Sequence, residues 1–136
     1  QRWGKISIPV AFAHGDFAPW NMRQKSDQLY VFGFEYAHGQ TSVGEDVCHY
    51  VMQSLLLIRN WTGGLLYDSF RRGGVFRQQL RVGFSRLQLV EELLETILLL
   101  YVLQRIAVLT AADRIDRPIA HKLAQFVHLP IGRLRR

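Results

Sequence analysis

Residues 6–13, ISIPVAFA, make an apolar, β-prone run in which Pro9 restricts any strand to a short or edge one. The polar loop HGDFAPW follows. Residues 21–24 and 29–36 then read as two strands around the turn KSDQ, a β-hairpin signal. A period of two places Leu29, Val31, Gly33 and Glu35 on one face of the second strand. Tyr30, Phe32, Phe34 and Tyr36 take the other face, which is expected to meet the core. Residues 38–45, HGQTSVGE, read as a loop.

From Asp46 the pattern turns helical. In DVCHYVMQSLLLIRNW the apolar residues cover nearly all sides, as in a helix buried within a larger lobe. Gly63-Gly64 is expected to stop it. A shorter helix over 65–71 follows, broken again by Gly73-Gly74. Residues 75–85 predict another helix, interrupted by Gly83. The strongest helical pattern spans 87–109, with Glu91 and Glu92 near its start and Arg105 near its end, matching the macrodipole. Within it, Glu95, Gln104 and Arg105 interrupt the apolar stretch 93–109. The uninterrupted run therefore falls short of the ~20 residues a membrane span needs. It reads as a buried core helix, and no membrane partner is expected. Asp116 and Pro118 open a last helix running to about His128, ended by Pro130 and Gly132, with a basic tail over 129–136. The order predicts an α+β fold with a helical majority, as a single domain over 1–136.

Composition changes this picture little. Of 136 residues, 49% are hydrophobic and 21% charged, which excludes a disordered chain. The net charge of +6 comes from arginines; only Lys5, Lys25 and Lys122 are lysines. Basic balance suits anionic partners without choosing among them. The arginines at 71, 72, 77, 81 and 86 read as a solvated face. No nucleic-acid motif accompanies them, so no nucleic-acid partner is expected. The single cysteine, Cys48, excludes a disulfide within the chain and reads as a small core residue in a reducing, cytoplasmic setting. The start, QRWGKISIPVAFAHG, has no signal-peptide pattern and no initiating methionine, so the chain is read as a fragment.

The chemistry lies in HGDFAPWN. Asp16 and Asn21 stand five apart across a loop containing Pro19. A carboxylate held there can accept a proton from a substrate hydroxyl. An amide oxygen five residues on can ligate a hard cation such as Mg²⁺. If the hairpin turn centres on Ser26–Asp27, Asn21 lies across from Phe32 and Gly33. A side chain at 33 would sit beside Asn21, and one at 35 would point the same way. The competing reading makes Asp16 and Asn21 turn-forming residues. His38, His49, His121 and His128 share no metal spacing and read as surface or satisfied helix residues. Trp20 reads as a loop anchor.

HGDFAPWN, then VFGFEYA, then Glu45-Asp46-Val47 opening a helix, is similar to the catalytic lobe of the aminoglycoside phosphotransferase and choline kinase family, relatives of the protein kinases. Their catalytic loop has the form H-G-D-x-x-x-x-N, with the Asp-to-Asn spacing of the protein-kinase loop. Their next strand ends in I-D-W-E or F-D-W-E, and an aspartate-leucine pair later opens a helix. Phe32, Phe34 and Glu35 match that strand, Tyr36-Ala37 its continuation, and Asp46-Val47 the pair. The resemblance covers most of the chain and is sharp over residues 14–53.

The resemblance implies a protein-kinase-like C-terminal lobe. Asp16 would be the catalytic base, Asn21 a Mg²⁺ ligand, His14 a structural brace, and Asp46 a brace beneath the loop. The family's main metal carboxylate falls at position 33, which here is Gly33. Glu35 is the tentative substitute, with its backbone roughly 6–7 Å further along the strand. No glycine-rich loop or strand lysine precedes His14, so the N-terminal nucleotide-binding lobe is absent and is expected in the full-length protein. The implied reaction moves the γ-phosphoryl group of ATP, with Mg²⁺, to a hydroxyl on a small molecule of unknown identity. The acceptor would be held by residues 60–110. Gly33 and the missing lobe imply weakened or lost nucleotide and metal binding and little or no activity. The alternative is a non-catalytic pseudokinase module that binds a protein partner.

Overall fold

The computed structural model describes residues 6–111 and 117–134. The architecture is α+β with helix dominating. Strands β1 (Val10–Ala13), β2 (Met22–Lys25), β3 (Gln28–Val31) and β4 (His38–Ser42) precede helices α1 (Glu45–Gln53), α2 (Gly63–Arg71), α3 (Val75–Arg86), α4 (Leu94–Ala111) and α5 (Arg117–Leu134).

The strands make two separate antiparallel pairs, β1 with β4 and β2 with β3. The hairpin turns at Ser26–Asp27, with Lys25 opposite Gln28 and Met22 opposite Val31. Residues 38–42 are a strand and not the expected loop. HGQTS has no apolar alternation to signal one. It is drafted by the open edge of β1, pairing Val10 with Ser42 and Ala11 with Thr41. The second hairpin strand is shorter than expected. It ends at Val31, because Gly33 adopts a left-handed conformation (φ 75°, ψ 49°) and residues 34–36 coil into a 3₁₀ turn. The period of two therefore stops before position 33. Tyr30, Phe32, Phe34 and Tyr36, expected in the core, are all exposed.

The core is helical. Met52 and Leu55 from the first helical segment meet Leu66 of α2, Phe76, Leu80 and Phe84 of α3, Ile97 and Val102 of α4, and Leu123 and Phe126 of α5. Cys48 lies within it, fully buried. The α1 helix passes into a π-helical turn over Ser54–Ile58, and Asn60 (φ 51°) ends it. The pair Gly63-Gly64 does not stop this helix. It opens α2, whose N-terminus is capped by Thr62 Oγ1 accepting from Leu65 N at 3.1 Å. A Cβ at Gly63 would stand 2.2 Å from Lys122 O, so α2 crosses α5 at backbone contact.

The α4 helix is shorter than the 87–109 pattern and only partly a core helix. A 3₁₀ turn over Glu91–Leu93 precedes it. Leu94, Ile97, Leu98, Tyr101 and Val102 are buried, whereas Leu99, Leu100, Leu103 and Val108 are exposed. Among the described residues, the stretch Glu91–Ala111 is the one helix long and apolar enough, by length and composition, to cross a membrane. The α5 helix runs through Pro130 and Gly132 to Leu134, so most of the expected tail is helical backbone. Ile119, Leu123, Phe126 and Val127 pack this helix against the core. Asp116 and the last two arginines lie outside the described residues. Arg71, Arg72 and Arg86 are exposed, as expected of a solvated face, while Arg81 Nε donates to Glu91 at 2.7 Å and Arg77 pairs with Glu95 at 3.4 Å.

Candidate functional site

The loop between β1 and β2 is held from three directions. From below, Asp46 in the first turn of α1 accepts from His14 N at 2.8 Å and Gly15 N at 3.2 Å. Two backbone N–H groups that no strand serves are thereby satisfied by one carboxylate. From the side, His14 is buried, with its ring 4.4 Å from that of Phe34. The backbone N–H of Asp16 donates to His14 Nδ1, so Nε2 carries the ring proton and donates to Phe32 O at 2.6 Å. His14 thus ties the loop to the segment leaving β3. Gly15 explains the middle of the motif. Its φ is +84°, and a Cβ there would meet Tyr36 O at 2.2 Å, so only glycine fits.

Asp16 is the open end of this arrangement, its side chain one-quarter exposed. Asn21 Nδ2 donates to Asp16 Oδ2 at 2.9 Å and to Asp16 O at 2.8 Å. His49 Nε2 lies 2.8 Å from Asp16 Oδ1. Burial opposes ionisation of Asp16, but hydrogen bonds from His49, Asn21 and Trp20 outweigh it and hold the carboxyl below its usual range. His49 is shifted down as well, first by burial, with Arg105 adding to it against the pull of Asp16 and Asp46. The pair is therefore a carboxylate with a neutral imidazole donating to it.

The site brings together Asp16, Asn21, His14 and Asp46. It does not bring in Glu35, which lies in the 3₁₀ turn, exposed, with no hydrogen bond or ion pair among the described residues. Its predicted register with position 33 fails because the strand ends at Val31. Gly33 does lie beside Asn21: a Cβ built there would stand 3.0 Å from Asn21 Cγ and Oδ1. A backbone bond from Phe32 N to Asn21 O, 2.9 Å, sets that register. The residues present do not fit Mg²⁺. Asn21 bonds Asp16 through Nδ2 and could offer a cation only its Oδ1, position 33 has no ligand atom, and no group of three His, Cys, Asp or Glu able to hold a metal occurs among the described residues. Trp20 is partly exposed, and its indole N–H donates to Asp16 within the loop. A cleft of about 430 Å³ between the end of α3 and the start of α4 is lined by Arg81, Phe84, Gln88 and Glu91, none of which contacts Asp16.

Sequence reasoning missed His49. It is 2% exposed, and its Nδ1 lies 2.7 Å from the hydroxyl of Tyr101, itself buried. A signal was available: His49 stands three residues after Asp46, on the same side of α1. Once Asp46 is placed under the loop, His49 must face it too. Tyr101, on a helix 52 residues further on, gives no such signal. Comparison with protein families, curated proteins and solved structures finds no match to this chain.

Proposed function

We propose that this chain is the catalytic lobe of a small-molecule phosphotransferase of the aminoglycoside phosphotransferase type, transferring phosphate from ATP to a hydroxyl acceptor. In this reading it keeps the base site and lacks the metal carboxylate, so the chain alone is inactive. The observation that carries it is the loop itself. Asp16 is presented to solvent on a backbone braced by Asp46, with both carboxylate oxygens already engaged by donors, beside an empty position 33. Such a carboxylate is a weak base, suited to orienting an acceptor hydroxyl and taking its proton only as the transfer proceeds. The nucleotide-binding lobe of the parent architecture would cover the aromatic face of Phe32, Phe34 and Tyr36, and a cytoplasmic setting belongs to the same reading.

The test is Gly33→Asp in a chain supplied with a nucleotide-binding lobe. The left-handed backbone at Gly33 is one that aspartate tolerates better than most residues, and Asn21 must yield by a few tenths of an ångström. Metal-dependent phosphoryl transfer should rise by at least tenfold. No rise would mean that position 33 is not the metal position. Robust Mg²⁺-dependent turnover by the unmodified chain would overturn the inactivity. The second reading, a pseudokinase module for a protein partner, draws on the same exposed aromatics. It predicts no heat on titration with Mg·ATP.

A further inference from the structure

Three side chains far apart in sequence form one hydrogen-bonded line from the interior to the loop: Tyr101 of α4, His49 of α1 and Asp16 of the loop. His49 Nδ1 is 2.7 Å from the Tyr101 hydroxyl and His49 Nε2 is 2.8 Å from Asp16 Oδ1. The direction of each bond follows from the groups available. An ionised carboxylate has only acceptors, so Nε2 must carry the imidazole proton. Nδ1 of that tautomer has a lone pair and no hydrogen, so the phenol must donate to it. The opposite tautomer would set two lone pairs against each other at Asp16, in a site His49 shares with almost no water. Burial raises the Tyr101 hydroxyl above its usual range, which keeps it a donor.

We propose that His49 is a positioning residue for Asp16 and that the Tyr101 hydroxyl, donating to Nδ1, holds its ring in place, so that the carboxylate is held by an N–H on one oxygen and by Asn21 on the other. Its catalytic meaning rests on the phosphotransferase reading; the clamp itself does not. With both oxygens tethered, the carboxylate plane cannot rotate, and only its outward lone pairs remain for an acceptor hydroxyl. Second-layer hydrogen bonds of this kind fix the orientation of a reacting group held by a mobile loop. The line also links the loop to α4, an element that the loop does not otherwise reach through a side-chain hydrogen bond among the described residues.

The full chain, labelled with ¹⁵N-histidine and ¹³C-aspartate, tests this by NMR without any need for turnover. The expected result for the unmodified protein is His49 in the Nε2–H tautomer at neutral pH. Tyr101→Phe removes one oxygen and keeps the ring. It should shift the His49 Nδ1 signal, leave the Nε2–H tautomer in place, and move the Asp16 carboxyl and Asn21 side-chain amide signals. An Nδ1–H tautomer in the unmodified protein overturns the proposal. So does a Tyr101→Phe spectrum in which the Asp16 and Asn21 signals stay put. His49→Gln, whose amide can still donate, should keep the Asp16 signal closer to its original position than His49→Leu. Equal displacement by both would show packing alone and sink the positioning role. Should Tyr101→Phe fold poorly, the tautomer of the unmodified chain and the His49 pair still decide. Absence of Mg·ATP binding would count against phosphoryl transfer while leaving these signals unchanged, so the two failures are separable.

Discussion

Gly15 and His49 show how much single residues decide around the loop. Alanine at position 15 would need a left-handed backbone and would drive its Cβ into Tyr36 O. Gly15→Ala is expected to cost more than about 2 kcal/mol, read as a lower urea midpoint. His49 makes stability depend on pH. Its folded-state pKa lies below the ordinary 6.5, so the unfolded chain takes up a proton first as the solution is acidified. The stability contributed by neutral His49 is complete above pH 6.5 and is lost as pH falls from there through the lower folded value. The slope can approach about 1.4 kcal/mol per pH unit. Asp16 and Asp46 oppose this loss and Arg105 reinforces it. Urea midpoints measured against pH should flatten below 6.5 in His49→Gln relative to the unmodified protein. An unchanged profile would mean that His49 is not the titrating group.

At the scale of the element, α1 is the organiser. Asp46 and His49 stand one turn apart, so one helix supplies both the brace under His14 and the donor to Asp16. Its other face, with Cys48, Val51 and Met52, is locked in the core, so both polar groups are rigidly placed. The α4 helix has the contrary character, with apolar residues both buried and exposed. Leu98→Ala should cost about 2–5 kcal/mol, because Leu98 is almost fully buried. Leu103→Lys should stay within about 0.5 kcal/mol, because its side chain is half exposed. Comparable losses in urea denaturation would mean that the exposed face of α4 is covered. Helix number and order were legible from apolar periodicity. The π-helical turn after α1, the 3₁₀ turn before α4 and the continuation of α5 past Pro130 were not. The first two depend on packing partners contributed by other elements.

Among the described residues, five helices enclose one core, while the loop and the two strand pairs stand on its surface. The α2 helix crosses α5 at backbone contact at Gly63. Gly63→Val would force the two apart, and the expected loss is more than about 2 kcal/mol, with near-ultraviolet circular dichroism reporting looser packing around Phe76 and Phe126. The aromatic side chains of Phe32, Phe34 and Tyr36 remain outside this core. The candidate site thus belongs to the surface but is anchored to the interior by two residues of α1.

By itself the sequence determined the local features. These are the Asp16-to-Asn21 spacing, the hairpin turn at Ser26–Asp27, Asp46 at a helix start, and a helical majority. Each depends on residues within a few positions of one another, where turn chemistry and periodicity act directly. Only the tertiary structure decided that β4 pairs with β1, that Glu35 leaves the site, that the hairpin aromatics face outward, and that Tyr101 and His49 stand behind Asp16. Those outcomes depend on which distant segments share a buried space. A chain read in order carries no term for that.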